Sequence, residues 1–145
     1  MNPSSVKVVD FACGTGLVGQ YLNDKGFKNI MGLDVSPNML DLCANKCIYG
    51  ELFEHCHGNP EEFPLKLKNQ ADFVTCAGLI NNNHMDYLLF EEMLLACKQG
   101  GYIIFAARFS YMGTYWYDKV IKQLQDDGRW QLVATETFFK YDKIE

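Results

Sequence analysis

With 145 residues, 48% of them hydrophobic, the chain is long enough to build one domain with a substantial core. A net charge of -5 and the lack of any Lys- or Arg-rich run argue against a nucleic-acid partner. No apolar stretch approaches the roughly 20 residues of a membrane span, and Met1-Asn2-Pro3-Ser4-Ser5 carries no signal-peptide pattern, so a soluble cytoplasmic protein is expected.

Taken in chain order, Val6 to Phe11 reads as a buried strand, and Leu17 to Lys25 as a helix that Gly26 can close with a left-handed cap. Asn29 to Asp34 is the second strand. Ser36 and Pro37 form an N-cap and first-turn pair for a helix to about Cys47, with Met39, Leu42, Cys43 and Cys47 partly facing the sheet. Leu52 to His57 is the third strand, Ala71 to Ala77 the fourth, Met85 to Cys97 a helix and Tyr102 to Ala107 the fifth strand. Thr114 to Asp126 should be helical and Trp130 to Phe139 a last strand. Such alternation predicts an α/β, Rossmann-like, doubly wound and mostly parallel sheet, with its ligand crevice at the carboxyl edge. No repeat or long linker interrupts it, so residues 1–145 are expected to form a single domain.

The first strand, turn and helix carry the chemistry. Val8-Val9-Asp10-Phe11-Ala12-Cys13-Gly14-Thr15-Gly16-Leu17-Val18-Gly19 spaces its glycines as G-x-G-x-x-G, and Asp34 ends the next strand twenty residues after Gly14. Gly14 and Gly16 permit a tight turn with no side chain between backbone and ligand, and Gly19 lets the helix sit close on the strand. Asp34 can accept hydrogen bonds from ribose hydroxyls. A dinucleotide would put a pyrophosphate at the helix N-terminus, yet no Lys or Arg lies between Val8 and Gly19, and Asp10 would repel an anion. A cationic, phosphate-free nucleoside such as S-adenosylmethionine suits these charges better. Two structural readings stand beside this one: Asp10 can accept backbone amides of the turn, and Asp34 can cap the helix that follows.

Val8 to Gly16, V-V-D-F-A-C-G-T-G, resembles the first motif of class I S-adenosylmethionine-dependent methyltransferases, and Gly32-Leu33-Asp34-Val35-Ser36-Pro37-Asn38-Met39-Leu40 resembles their second. Gly58-Asn59-Pro60-Glu61-Glu62-Phe63-Pro64 stands where the family usually has Gly-Asp-Ala. Ala71 to Ala77 and Lys98 to Phe105 are similar to its fourth and fifth strands. Within the family, A-C-G-T-G together with Tyr117 to Trp130 looks most like the methyltransferase-like protein 27 group. The resemblance implies an S-adenosyl-L-methionine site of Asp10, Ala12, Cys13, Gly14, Thr15, Gly16, Asp34, Val35, Met39, Asn59, Pro60 and Cys76. Asp10 would hold the methionine end, Asp34 the ribose, Val35 and Met39 the adenosine. Asn59 replaces the usual Asp, and its amide oxygen can still accept from the adenine amino group.

The family fold normally opens with one or two helices before the first strand and closes with a seventh strand. This chain is expected to lack both, as a domain truncated at its two ends. The resemblance implies methyl transfer to a small-molecule or protein acceptor, presented near the loop Cys76 to His84. There Asn81 and His84 are candidates for orienting the acceptor or removing a proton, although His84 also reads as an ordinary loop residue beside a helix cap. Phe109, Tyr111, Tyr115, Trp116 and Tyr117 can line an acceptor pocket or simply pack. None of the six cysteines forms a C-x-x-C pair, and although Cys43 with Cys47, or His55 with His57, have spacings seen in metal sites, no metal is expected. Packed, reduced thiols are the simpler reading. Two other classes share parts of this pattern: a noncatalytic methyltransferase-like binding module, and an NAD-dependent oxidoreductase, which should lack Asp10.

Overall fold

The computed structural model describes residues 2–80, 87–107 and 116–138. The chain divides into two compact units, Met1–Ser110 and Tyr111–Glu145. In the first, strands β1 (Lys7–Phe11), β2 (Asn29–Asp34), β3 (Glu51–Glu54), β4 (Ala71–Ile80) and β5 (Cys97–Ala107) form one sheet in the order β3-β2-β1-β4-β5. Every neighbouring pair is parallel. Helices α1 (Leu17–Asp24), α2 (Pro37–Ala44) and α3 (Tyr87–Ala96) lie in the β1–β2, β2–β3 and β4–β5 connections, while the β3–β4 connection carries two short 3-10 turns, Pro60–Glu62 and Leu65–Leu67. The chain runs outward from β1 to β2 and β3, then returns to β4 on the other side of β1. The carboxyl ends beside that reversal are where sheets of this kind open a crevice.

β1 lies at the centre because its residues tolerate burial on both faces. Val8, Val9 and Phe11 have no exposed surface, and both backbone edges are paired, with β2 and with β4. Leu22, Phe27, Ile48 and Tyr49 pack against Val6, Val8 and Ile30. Asp72 ties the amino ends of three strands together: it accepts the Lys7 N–H at 2.8 Å and the Lys98 ammonium at 2.7 Å. The expected caps are present. Gly26 has φ +94°, and the Phe27 N–H reaches back to the Leu22 carbonyl at 3.0 Å. Ser36 Oγ accepts the Met39 N–H at 3.4 Å, with Pro37 in the first turn of α2.

Five features depart from the sequence reading, the first being β4, which runs to Ile80, three residues past Ala77, so that Cys76 to Ile80 of the expected acceptor loop is strand. α2 stops at Ala44, so Cys47 (φ +54°) lies beyond it, exposed, while Cys43 is buried; the two do not share a helix face. β3 ends at Glu54. The His55 N–H still bonds the Asp34 carbonyl at 3.0 Å, but the chain then turns at Gly58 (φ +88°), with the His55 ring bonded to Glu92 on α3 and the His57 ring to the Ala12 N–H. β5 begins at Cys97, directly after α3, where Gly101 is required: a Cβ there would lie 2.8 Å from the Asp72 carbonyl. The second unit contains α4 (Trp116–Asp126), but residues 130–138 form no strand. An alternating pattern cannot supply a pairing partner. Leu132, Val133 and Phe138 remain exposed, and the Trp130 indole N–H bonds the Ile121 carbonyl at 3.0 Å. Among the described residues no helix is long and apolar enough to cross a membrane.

Candidate functional site

The turn between β1 and α1 holds three residues in the left-handed region, Ala12 (φ +51°), Gly14 (φ +55°) and Gly16 (φ +84°). The glycines of the motif do different work. A Cβ on Gly14 would meet only the Ala12 carbonyl at 4.0 Å, so that side of the turn is open. A Cβ on Gly16 would lie 2.9 Å from Cys43 Sγ, and one on Gly19 would overlap the Tyr49 hydroxyl and lie 2.6 Å from its Cε2. Gly32 is as tight as Gly16, with a Cβ there 2.9 Å from the Tyr49 ring and from Leu52 Cδ2. The expectation that Gly19 brings α1 close to the strand is therefore corrected: Gly16, Gly19 and Gly32 make room for one tyrosine ring.

Tyr49 also fixes Asp10. Its hydroxyl accepts the Gly19 N–H at 3.1 Å and donates to Asp10 Oδ2 at 2.6 Å, while the Thr75 hydroxyl donates to Oδ1 at 2.7 Å. Asp10 is only 1% exposed. Burial pushes its pKa above the usual carboxylate range, against the opposing pull of the Tyr49 and Thr75 hydrogen bonds, and the neighbouring charge of Asp34 adds to the rise. The structural reading of Asp10 is thus met by two hydroxyls and not by turn amides. A raised folded-state pKa contributes stability below pH 3.8 that is lost as pH rises through the raised value. Asp10→Asn mimics the protonated acid and can keep both partners, since Thr75 Oγ can also accept. It is expected to raise the thermal unfolding midpoint at pH 7, with the gain shrinking as pH is lowered toward 4. Unfolding scans across that range would reveal a gain independent of pH if burial of the charge were unimportant.

Asp34, 8% exposed, closes the turn from the β2 side. Oδ2 accepts the Gly14 N–H and Oδ1 the Ser36 N–H, each at 2.9 Å. The cap of α2 falls to Ser36, as the sequence suggested, and Asp34 instead bridges the two loops at the carboxyl edge. Each oxygen keeps a further acceptor position. Val35 and Met39, beyond it, are 56% and 41% exposed and offer apolar surface.

A third buried carboxylate lies at the same edge. Glu92 on α3 has no exposed surface and accepts from His55 Nε2 at 2.8 Å, the Asn59 N–H at 2.8 Å and the Gly58 N–H at 3.1 Å. Burial alone would raise its pKa, but the imidazoles of His57 and His55 and the Gly58 amide outweigh that and hold it below the usual range. His57 Nε2 accepts the Ala12 N–H at 3.2 Å, and its ring stacks on Phe11 at 5.5 Å. Tyr49, Thr75 and Glu92 were missed by sequence reasoning, and His57 was weighed only as one of a metal-spaced pair. A signal existed for one: Glu92 interrupts the apolar stripe Leu89, Met93 and Ala96, where a charge must have partners.

Of the expected site residues, Asp10, Ala12, Cys13, Gly14, Thr15, Gly16 and Asp34 meet around this turn. Asn59 and Pro60 are brought to it through Glu92 and His57. Cys76 ends the β1–β4 pairing opposite Phe11. It is 1% exposed, and its thiol is pushed up to about 12 by burial and by Asp10. Burial, then the neighbouring Cys43, Asp10 and Asp34, raise Cys13 as well, which disfavours the thiolate at both positions. Asn81, His84, Phe109, Tyr111 and Tyr115 lie outside the described residues. Tyr117 is buried.

A family model described as "Methyltransferase domain" matches residues 9–105. Methyltransferase-like protein 27 of Homo sapiens is 28% identical over 136 residues, 91% of this chain and 54% of that protein. Demethylmenaquinone methyltransferase of Bacillus licheniformis is 35% identical over 105 residues, 70% of this chain and 44% of that protein. The chain thus spans about half the length of the curated relatives it matches. Among solved structures, a TehB-like SAM-dependent methyltransferase from Corynebacterium glutamicum superposes with TM-score 0.63 at 17% identity, covering 82% of this chain and 64% of that one. A SAM-dependent methyltransferase from Aquifex aeolicus gives TM-score 0.61 at 20% identity, covering 85% and 71%. Because the family match starts within β1 and ends within β5, it reaches all five strands and the turn that Asp34 closes, and the chain belongs to the methyltransferase domain family, with the class I methyltransferase fold.

Proposed function

We propose that this chain binds S-adenosyl-L-methionine beyond the carboxyl ends of β1 and β2 and transfers its methyl group to a small-molecule or protein acceptor. The observation that carries this reading is Asp34. Its carboxylate is held on the Gly14 and Ser36 amides at 2.9 Å, with acceptor positions to spare for two ribose hydroxyls and open space beside Gly14. Ala12, Cys13, Thr15 and Gly16 complete the turn. Val35 and Met39 would flank the adenosine, with Asn59 and Pro60 bordering the base and Cys76 lining the cofactor site at the end of the β1–β4 pairing, on the Asp10 side. Asp10, behind the turn, supplies negative charge on the side of a cationic methionine end.

Bound there, the cofactor supplies a methyl group already activated by its sulfonium. The work left to the chain is to hold donor and acceptor in line at contact distance. For an acceptor that arrives protonated, His84 is the candidate base and Asn81 a candidate orienting group. We read residues 1–145 as one cofactor-binding domain. Six free cysteines fit a reducing compartment, and we assign the protein to the cytoplasm. The net charge of -5 speaks against a nucleic-acid acceptor.

Calorimetric titration with S-adenosylhomocysteine, run beside NAD, tests the reading. Saturable binding of S-adenosylhomocysteine alone is expected. Binding of NAD alone would replace it with the oxidoreductase reading, and binding of S-adenosylhomocysteine by a chain that methylates nothing in an acceptor screen would favour a noncatalytic module.

A further inference from the structure

The buried cluster of His55, His57 and Glu92 is where the cofactor turn, the loop after β3 and helix α3 meet. One ligand-capable atom from each of the three lies within 4.8 Å of the others, an arrangement that invites a metal. The hydrogen bonds argue otherwise. His57 Nε2 faces the Ala12 N–H at 3.2 Å and must present a lone pair to it. A neutral imidazole then carries its proton on Nδ1, so Nδ1 has no lone pair for a metal. That atom is buried with no hydrogen-bond partner, and it points toward Glu92 Oε2 at 3.7 Å. An N–H facing an ionised carboxylate is attracted at that distance, whereas a bare lone pair would be repelled.

We propose that His57 and Glu92 are positioning residues for the cofactor turn. Glu92, ionised and fully buried, selects the Nδ1–H tautomer of His57. That tautomer leaves Nε2 free to hold the Ala12 N–H and with it the left-handed Ala12 (φ +51°) that starts the turn. The same carboxylate holds the Gly58 and Asn59 amides, so one side chain on α3 sets both the turn under the ribose and the segment assigned to the adenine. Ala12 needs such a hold, because a residue with a Cβ rarely occupies that conformation unaided. The inference rests on the cofactor site proposed above.

Two variants separate the roles of His57. His57→Phe keeps a ring to stack on Phe11 but offers no acceptor; His57→Gln places an acceptor oxygen at the reach of Nε2. With S-adenosylhomocysteine as the probe, the Phe variant is expected to bind about tenfold more weakly and the Gln variant within about threefold of the wild-type chain. Amide exchange at Ala12 should quicken in the first and not in the second. A packing role alone would give the opposite order, since Phe replaces the ring better than Gln. If the Phe variant fails to fold, nitrogen NMR of the wild-type chain decides: His57 protonated on Nδ1 supports the proposal, and a proton on Nε2 overturns it. Stabilisation by zinc that His57→Gln abolishes would also overturn it, as that requires a lone pair on Nδ1. Tight wild-type binding that His57→Phe leaves unchanged defeats this inference alone, whereas absent wild-type binding defeats the cofactor reading and this inference with it.

Discussion

Gly19→Ala is expected to destabilise the protein by about 2 to 4 kcal/mol, far beyond the roughly 1 kcal/mol or less of an ordinary helical glycine replacement. The sign is reversed as well, since alanine normally improves a helix. The added methyl would overlap the Tyr49 hydroxyl and lie 2.6 Å from Cε2, so the ring must leave its place. With it go the hydroxyl's bond from the Gly19 amide and its 2.6 Å bond to Asp10. Asp10 would then keep only the Thr75 hydroxyl in a site that excludes water. Denaturant unfolding of Gly19→Ala, Tyr49→Ala and the double variant measures this. Once Tyr49 is truncated the methyl has room, so the double variant should be no less stable than Tyr49→Ala alone. Additive losses would mean that Gly19 serves helix packing on the strand and that Tyr49 is a bystander.

Asp34→Ala should weaken S-adenosylhomocysteine binding by at least about tenfold, which corresponds to roughly 1.4 kcal/mol. Hydrogen bonds to a charged group contribute roughly 1.5 to 3 kcal/mol each, and the variant loses the pair expected to the ribose. It also releases the Gly14 and Ser36 amides, and with them the turn itself. Asp34→Asn should fall between the two. Its oxygen can serve one amide, but its amino group would face the other donor. Calorimetry on the folded fraction, with the unfolding midpoint of the ligand-free variants alongside, separates lost binding from lost fold. Unchanged affinity in Asp34→Ala would remove Asp34 from the site.

Both predictions turn on contacts that differ in how far the chain announces them. Asp34 stands at the end of an apolar run, a set distance from Gly14, and local rules carry it to the carboxyl edge whatever the rest of the molecule does. Ser36, Pro37 and Gly26 likewise act on their own backbone neighbours, and the order of strands and helices follows from periodicity. Those features, and the parallel sheet they build, were legible in the sequence because their causes lie within a few residues of one another.

Tyr49 is separated from Gly19 by thirty residues and from Asp10 by thirty-nine, and Glu92 from the Asn59 amide by thirty-three. No local pattern ties such residues together. Only the juxtaposition of β1, β2 and the segment before β3 decided that the glycines would cradle a tyrosine and that Asp10 would sit between two hydroxyls. Only the approach of α3 and of the β1–α1 turn to the loop after β3 took two histidines out of an extended strand, since a buried Glu92 has to find donors, among them His55 and the Gly58 and Asn59 amides, and the Ala12 N–H finds His57. The last strand failed for the same reason in reverse. Residues 130 to 138 have the alternation of a strand, but a strand exists through its partner, and the pattern of a segment says nothing about whether one is there.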